Sequence, residues 1–425
     1  MYIKTVTIEN FKGIETCQLS FKKGFNLIIG ENGKGKTSIL EAISIGISGF
    51  LSGIPITEVN PRQFSMDEVR TVYMPQGDGA YVPQYNWPQV CMTADINGTV
   101  YSWSREKRRA SAQTTTTPRD ICHLAEKLVY DPQSVLPVIS YQSAARVWAQ
   151  KRKKQYDVAI RIKLDRSAGY IDCLSDESSI KTMLDWCSKM EQIAWQKGKP
   201  VREYEAVKKA VSLAMGKIEC QQDIHVFYDK QSEELLYQMK DTVTPISMLS
   251  AGYQSLIWMI FDIAYRMAVL NPAFVEHICE APGLVLIDEL DVHLHPRWQW
   301  QVIDVLRYVF PNVQFIATTH SPIIIASAKN VRCINIENMN IPVCADNGYG
   351  LEVNYILKHM QHAAELPKTI ADLLKSFYQN VDRMNFDDAE TVLATLQNEI
   401  GENNPIVIKA KERLDLELAF VGMKE

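Results

Sequence analysis

The chain has 425 residues, 46% of them hydrophobic, 22% charged and 9% aromatic, a balance that excludes wholesale disorder, a collagen-like repeat and a long coiled coil. Its 45 Lys plus Arg against 50 Asp plus Glu leave a net charge of −5, which excludes coating nucleic acid by bulk charge but permits a local basic patch. The length allows two or three units of about 150 residues, or one large α/β domain with an insertion.

In chain order, Ile3-Lys4-Thr5-Val6-Thr7-Ile8 alternates as a strand. Cys17 to Phe21 reads as a second strand, and Phe25 to Ile29 as a buried one. A glycine-rich stretch follows, then helical spacing from Thr37 to Ile47. Residues 52 to 140 are expected to hold strands, such as Arg70–Met74 and Thr99–Ser104, among Pro- and Gly-containing loops that include the low-complexity Thr114–Thr117. From Ser143 to Lys240 the texture is helical and charged. Helices over Ser178–Trp195 and Val201–Ile218 are split by the breaker Gly198-Lys199-Pro200. The α/β pattern returns with a helix at Ser250–Leu270, a buried strand at Gly283–Ile287, a helix at Pro296–Phe310 and a buried strand at Val313–Ala317. Beyond about residue 350 the chain is helical, and residues 381–425 hold ten acids and five bases.

Nine cysteines occur with no C-x-x-C pair, so neither a zinc ribbon nor a thioredoxin-like site is expected. The N-terminal stretch lacks the apolar region of a signal peptide. The longest apolar run, Leu256 to Leu270, is broken by Asp262 and Arg266, so no membrane span is expected. These features point to a soluble, reduced, cytoplasmic protein.

Gly30-Glu31-Asn32-Gly33-Lys34-Gly35-Lys36-Thr37 fits G-x-x-x-x-G-K-S/T, the phosphate loop. The loop lies between a buried strand and a helix, as the motif requires. Its glycines let consecutive N–H groups face phosphate oxygens, and the helix adds its N-terminal dipole. Lys36 would reach the β- and γ-phosphates of ATP, Thr37 would offer its hydroxyl to Mg²⁺, and Ser38 continues the cradle. Leu284-Val285-Leu286-Ile287-Asp288-Glu289 is a buried strand ending in two acids, where open α/β sheets bind ligands. Asp288 would hold the Mg²⁺ shell and Glu289 would act as general base on water. Leu249-Ser250-Ala251-Gly252-Tyr253-Gln254-Ser255 opens a helix. Ser250 there is either a second phosphate-binding group, best supplied to another subunit, or an ordinary N-cap. Thr318-Thr319-His320-Ser321-Pro322 follows a buried strand and would place His320 near Glu289 and the γ-phosphate.

In this order, the phosphate loop, LSAGYQ, LVLIDELD and TTHSP resemble the heads of ABC-type ATPases, in the branch that includes SMC and RecF-like proteins. The resemblance implies an α/β fold: a P-loop head with a mixed β-sheet, a helical insertion between phosphate loop and signature, and a helical C-terminal tail. It implies the segments 1–142 (first ATPase lobe), 143–245 (helical, partly basic insertion), 246–345 (second ATPase lobe) and 346–425 (acidic helical tail). It further implies ATP sandwiched between two heads, with Ser250, Gly252 and Gln254 facing the nucleotide of the partner. Asp291 matches the D-loop aspartate and His320 the switch histidine. Gln142, ending Val138-Ile139-Ser140-Tyr141-Gln142, is the best candidate for the glutamine that contacts Mg²⁺ and water. LSAGYQ has alanine where transporters usually carry glycine, which leaves the serine and the glycine in place.

A narrower likeness covers LSAGYQSLIWMIFDIAYRMAVLNP, the stretch from GLVLIDELD to TTHSP, and the tail. These segments resemble the stand-alone ATPases of antiphage defence, the Septu ATPase PtuA and its retron relatives. That likeness implies an HNH nuclease subunit (PtuB-like) as partner and homodimeric or higher homo-oligomeric heads. The alternative is a RecF-like DNA-repair ATPase without a dedicated nuclease. A transporter head is disfavoured by the wide separation of Gly30 from Ser250.

Other features have plainer readings. His293-Leu294-His295 reads as packing and helix entry rather than a metal pair, and Trp298 and Trp300 as packing faces. Arg105-Glu106-Lys107-Arg108-Arg109 is a basic cluster. Between Ser143 and Arg166 there are eight bases (Arg146, Lys151, Arg152, Lys153, Lys154, Arg161, Lys163, Arg166) and two acids (Asp157, Asp165). Each is either a solvated face or a site for DNA or RNA phosphates. The acidic tail is either a docking segment or a cap.

Overall fold

The computed structural model describes residues 1–56, 58–76, 80–145, 165–175, 180–338, 341–344, 348–361 and 366–422. They separate into two compact units, Met1–Ile356 and Leu357–Glu425.

The first unit is built on a six-stranded sheet in the order β16-β15-β3-β14-β13-β9. Its strands are β3 (Phe25–Ile29), β9 (Val138–Gln142), β13 (Gly283–Ile287), β14 (Val313–Thr318), β15 (Arg332–Asn338) and β16 (Ile341–Cys344). All neighbours run parallel except β15 and β16, so the sheet is mixed. β3, β9, β13 and β14 are buried along their whole length. Strands covered on both faces read as continuous apolar runs, which is why the sequence marked them. An antiparallel sheet in the order β2-β1-β6-β7-β8 lies in the same unit. It comprises β1 (Tyr2–Phe11), β2 (Ile14–Ser20), β6 (Gln89–Ile96), β7 (Thr99–Glu106) and β8 (Thr115–Thr117). Helix α1 (Lys36–Leu51) contacts strands of both sheets and is buried at every residue from Ala42 to Leu51. A helix apolar all round is one packed on all sides.

Helix α2 (Asp120–Tyr130) leads to β9, and α3 (Ile180–Lys197) and α4 (Arg202–Glu219) flank the breaker Gly198-Lys199-Pro200 as expected. They pack on α5 (Ala251–Leu270): Trp186 of α3 meets Tyr204, Phe261 and Tyr265 edge-on. The second unit holds α8 (Lys368–Asp382), α9 (Phe386–Ile400) and α10 (Pro405–Gly422). Phe377, Leu396 and Ala410 are fully buried in its core. Among the described residues no helix is long and apolar enough to cross a membrane.

Four expectations are corrected. The stretch read as helical up to Lys240 ends in an antiparallel sheet of β10 (Ile224–Asp229), β11 (Glu234–Met239) and β12 (Thr242–Pro245). In β10 the buried residues alternate with less buried ones, a period of two masked by the charged surroundings. Thr115–Thr117 is not loop but an edge strand paired with Ser104–Glu106, a place that suits β-branched threonine. The helix expected over Pro296–Phe310 is two, α6 (Pro296–Gln299) and α7 (Val302–Val309). The chain tightens between them, with the Gln301 N–H donating to the Trp298 carbonyl at 2.9 Å, an i to i+3 bond. Trp298 is buried as expected, but Trp300 is 47% exposed and packs nothing comparable.

Candidate nucleotide site

The phosphate loop connects β3 to α1. Gly33 and Gly35 sit at φ +77° and +89°, the left-handed region that glycine enters without a Cβ penalty. Lys36 is 6% exposed, and its ammonium donates to the carbonyls of Gly30 at 2.9 Å and Glu31 at 2.8 Å. Burial lowers its pKa from 10.5 to about 8, against the opposing pull of Glu289, Asp288 and Asp291. Lys34 pairs with Glu31 at 3.6 Å, and Asn32 is exposed on the loop. Thr37 and Ser38 open α1, and the Thr37 hydroxyl donates to Asp288 at 3.0 Å.

Asp288 and Glu289 follow β13, and β14 orients both. The Thr318 hydroxyl donates to Asp288 Oδ1 at 2.7 Å and accepts the Glu289 N–H at 2.8 Å. Glu289 lies at φ +48°, a left-handed conformation costing a non-glycine residue roughly 1–2 kcal/mol. Asp291 accepts from the Thr319 hydroxyl at 2.5 Å and from the His320 N–H at 3.2 Å. His320 is half-buried; burial and the Lys36 charge lower its pKa, while Asp291 and Asp288 raise it. The structure therefore brings Lys36, Thr37, Asp288, Glu289, Asp291 and His320 together. The sequence alone assigns Thr318 and Thr319 no role; their place at a strand end beside two acids is the available signal.

Gln142 reaches the site by its backbone, its carbonyl accepting the Asp288 N–H at 2.8 Å. Its side chain takes another direction, donating to Asp262 Oδ2 at 2.8 Å and to Ser140 Oγ at 2.7 Å. Asp262 also accepts from Ser140 Oγ and Arg266 Nε, and Arg266 Nη1 continues to the carbonyls of Gly169 and Ile171. The two charges that merely interrupted an apolar run in the sequence thus form a buried pair holding α5 to β9.

Ser250 occupies the N-cap of α5 but makes no side-chain cap bond, and it is exposed. Gly252 allows a close approach: a Cβ there would lie 2.5 Å from the His293 carbonyl oxygen. The Gln254 amide turns back to the carbonyls of Ser247 and Leu249. His295 Nδ1 accepts the Arg297 N–H at 3.2 Å and caps α6, the helix-entry role expected of it. Among the described residues no three His, Cys, Asp or Glu side chains form a metal-binding group. Thr37 and Asp288 are oxygen donors that suit Mg²⁺, which takes one or two protein carboxylates and completes its shell with phosphate and water.

The basic cluster at Arg105–Arg109 is corrected. Arg105 is 1% exposed and donates to the carbonyls of Ser48 and Arg62, and buried Lys107 donates to Ala112. Arg108 pairs with Glu106. In the second basic stretch, Arg166 donates to the carbonyls of Ser134, Leu128 and Asp131. Arg146, Lys151, Arg152, Lys153, Lys154, Asp157, Arg161 and Lys163 lie outside the described residues.

A family model described as an AAA domain matches residues 5–219, and one described as an AAA ATPase domain matches residues 126–325. The chain is similar to the Retron Vc95 probable ATPase of Vibrio cholerae serotype O1 biovar El Tor. The identity is 24% over 393 residues, covering 78% of this chain and 73% of that protein. It is also similar to the Septu protein PtuA of Bacillus mycoides (strain KBAB4), 26% identical over 76% of this chain but only 38% of that longer protein. Among solved structures, an Smc head bound to the C-winged helix domain of ScpA aligns with 81% of this chain and 98% of its own, at 17% identity and a TM-score of 0.45.

Proposed function

The chain belongs to the AAA-domain ATPases, and from that premise we propose that it is the ATP-driven regulatory subunit of an antiphage-defence complex. One observation carries the chemistry: the Thr37 hydroxyl and the Asp288 carboxylate, 251 positions apart in sequence, meet at 3.0 Å beside a phosphate loop.

ATP lies with its phosphates on the N–H groups of Gly33 to Ser38 and on Lys36, which exchanges its loop carbonyls for phosphate oxygens. Thr37 and Asp288 would hold Mg²⁺, which would supply charge neutralisation at the phosphates, while Gln142, its amide held by Asp262 and Ser140, positions Asp288 through its backbone carbonyl. Glu289 takes the proton of the attacking water. His320 orients the γ-phosphate end, and Asp291 fixes the His320 backbone. Ser250, Gly252 and Gln254 complete the site of a second head. ATP closes the pair and hydrolysis opens it, an equilibrium moved only by contacts that exist in one state.

The likeness to retron and Septu proteins supports the biological part of the reading. The effector is an HNH nuclease subunit, and DNA or RNA engages the basic stretch between Ser143 and Arg166. Native mass measurement of the complex purified from its whole operon tests this. An HNH subunit in the particle, with cutting that changes when Glu289→Gln blocks turnover, is the expected result. A head that binds gapped or broken DNA tightly and carries no nuclease would instead be a RecF-like repair ATPase.

A further inference from the structure

The small antiparallel sheet that follows α4 (Arg202–Glu219) leaves one edge open. Its order is β10-β11-β12, so β10 (Ile224–Asp229) lies at an end. Just before β10, the Asp223 carbonyl accepts the Lys240 N–H at 3.3 Å. In an antiparallel ladder hydrogen-bonded pairs alternate with non-bonded ones. Ile224 and Val226, opposite Met239 and Tyr237, are therefore of the non-bonded kind, and their N–H and C=O groups point away from β11. Among the described residues no backbone group outside the sheet bonds to them. Other edges are blunted: Pro75 and Pro83 interrupt the ribbon of β4 (Arg70–Gln76) and β5 (Ala80–Asn86), and β12 ends in Pro245. β10 contains no proline, and an open, regular edge is a template for a further strand.

A groove of ≈ 820 Å³ runs between β10 and α4, with Tyr308 of α7 also in its wall. It touches Ile224, His225, Val226 and Phe227 in succession. Successive side chains lie on opposite faces of a strand, so a cavity touching all four follows the edge rather than one face. Leu213, Val226 and Phe227 give it apolar walls, and Lys208, Lys209 and Lys217 add charge. The lining acid, Glu205, pairs with Lys208 at 2.7 Å. Lys217 stands 3.8 Å from the centroid of the Tyr308 ring, a contact that leaves its charge uncancelled. Lys209 and Lys217 thus keep the groove positive.

These features select the occupant. Alternating N–H and C=O groups call for a partner that both donates and accepts. A phosphate backbone only accepts, so it cannot satisfy the carbonyls. A second copy pairing β10 against β10 would bring both sets of Lys209 and Lys217 together, like charge on like. The acids of this chain's own tail, such as Asp388 and Glu412, lie in α9 and α10, helices whose backbone groups are bonded internally. An extended peptide supplies the donors and acceptors, and acidic side chains match the lysines. We propose that the β10 edge is a docking site where an extended, acidic segment of another protein adds as a strand. Its main chain pairs with Ile224 and Val226, and its carboxylates meet Lys209 and Lys217. None of these residues belongs to the nucleotide site.

The test follows the fluorescence anisotropy of a labelled ten-residue Glu-Val repeat added to the full chain. One control carries Lys in place of Glu, and another carries N-methyl groups on its central amides at unchanged charge. The Glu-Val probe is expected to bind at least about tenfold more tightly than either control. Lys209→Glu/Lys217→Glu is expected to weaken that binding about tenfold or more, with ATP turnover kept within about twofold. Lys209→Gln/Lys217→Gln, which removes only the charge, should show a smaller loss in the same direction. Equal binding of the N-methylated probe overturns strand pairing, and equal binding by the glutamate variant overturns the role of the lysines; either sinks the site. So does failure of the Glu-Val probe to bind, or its displacement by oligothymidylate, which would make the groove a nucleic-acid site. Loss of self-association in the glutamate variant would give the groove to a second copy and overturn the proposal as well.

Discussion

Helices α1 and α5 both open on a glycine-bearing turn, and the two openings differ in what satisfies them. At α1 the chain closes on itself: Lys36 donates to Gly30 and Glu31, and Thr37 to Asp288. At α5 the Ser250 side chain caps nothing and is exposed, the preceding Met248 is 76% exposed, and Gln254 turns back to Ser247 and Leu249. The first N–H groups of any helix lack an internal partner. One opening is preorganised by its own chain, and the other is presented outward. The same local pattern, a helix opening beside a glycine, is thus closed by its own chain in one case and left exposed in the other.

The largest effect should come from breaking the inward-facing side. Glu289→Gln removes only the base, so phosphate release should fall by about 10² to 10⁴-fold while bound ATP and the closed pair persist. Equal turnover by mutant and parent would strip Glu289 of that role. Ser250→Arg attacks the outward-facing side. ATP-dependent pairing, followed by sedimentation, should disappear, while an isolated chain still binds nucleotide. Turnover by a strict monomer would contradict the shared site.

Gly252→Ala sharpens the comparison by forcing a Cβ to within 2.5 Å of the His293 carbonyl. Overpacking costs about 1–3 kcal/mol, outweighing the roughly 1 kcal/mol an alanine gains within a helix, so the thermal midpoint should drop. A higher midpoint would mean that this approach is not tight.

The smallest effect is on pH dependence. Lys36 has its pKa lowered to about 8 in the fold, from 10.5. Between those values the unfolded chain holds the proton and the folded chain does not, so stability of the nucleotide-free protein should rise with pH across that window. Triphosphate favours the charged ammonium, so ATP affinity should fall across the same window, with proton uptake on binding. Calorimetry in buffers of different ionisation heat measures that uptake; its absence at pH 9 would show Lys36 already charged.

Much of the site was legible because its signals are contiguous. A phosphate loop is eight residues in a row, β13 is an unbroken apolar run, and β3 and β14 are short apolar runs interrupted by Asn26 and Gln314. What was not legible depends on distant partners. Arg105 reads as a surface base until α1 supplies the Ser48 carbonyl and the chain near Arg62 supplies another. Asp262 and Arg266 read as breaks in an apolar helix until Ser140, Gln142, Gly169 and Ile171 surround them. A buried charge is tolerable only when paired and hydrogen-bonded, and such pairing has no local signature.

The order of the chemical motifs and the strands that carry them are written in residue order, because backbone-cradled phosphate binding and full burial leave local patterns. Which charges are structural, where the Gln142 amide turns and how Thr318 joins Asp288 to Glu289 emerge only in the folded chain. Those are contacts between segments far apart in the chain, and their energies depend on burial and geometry rather than on residue order.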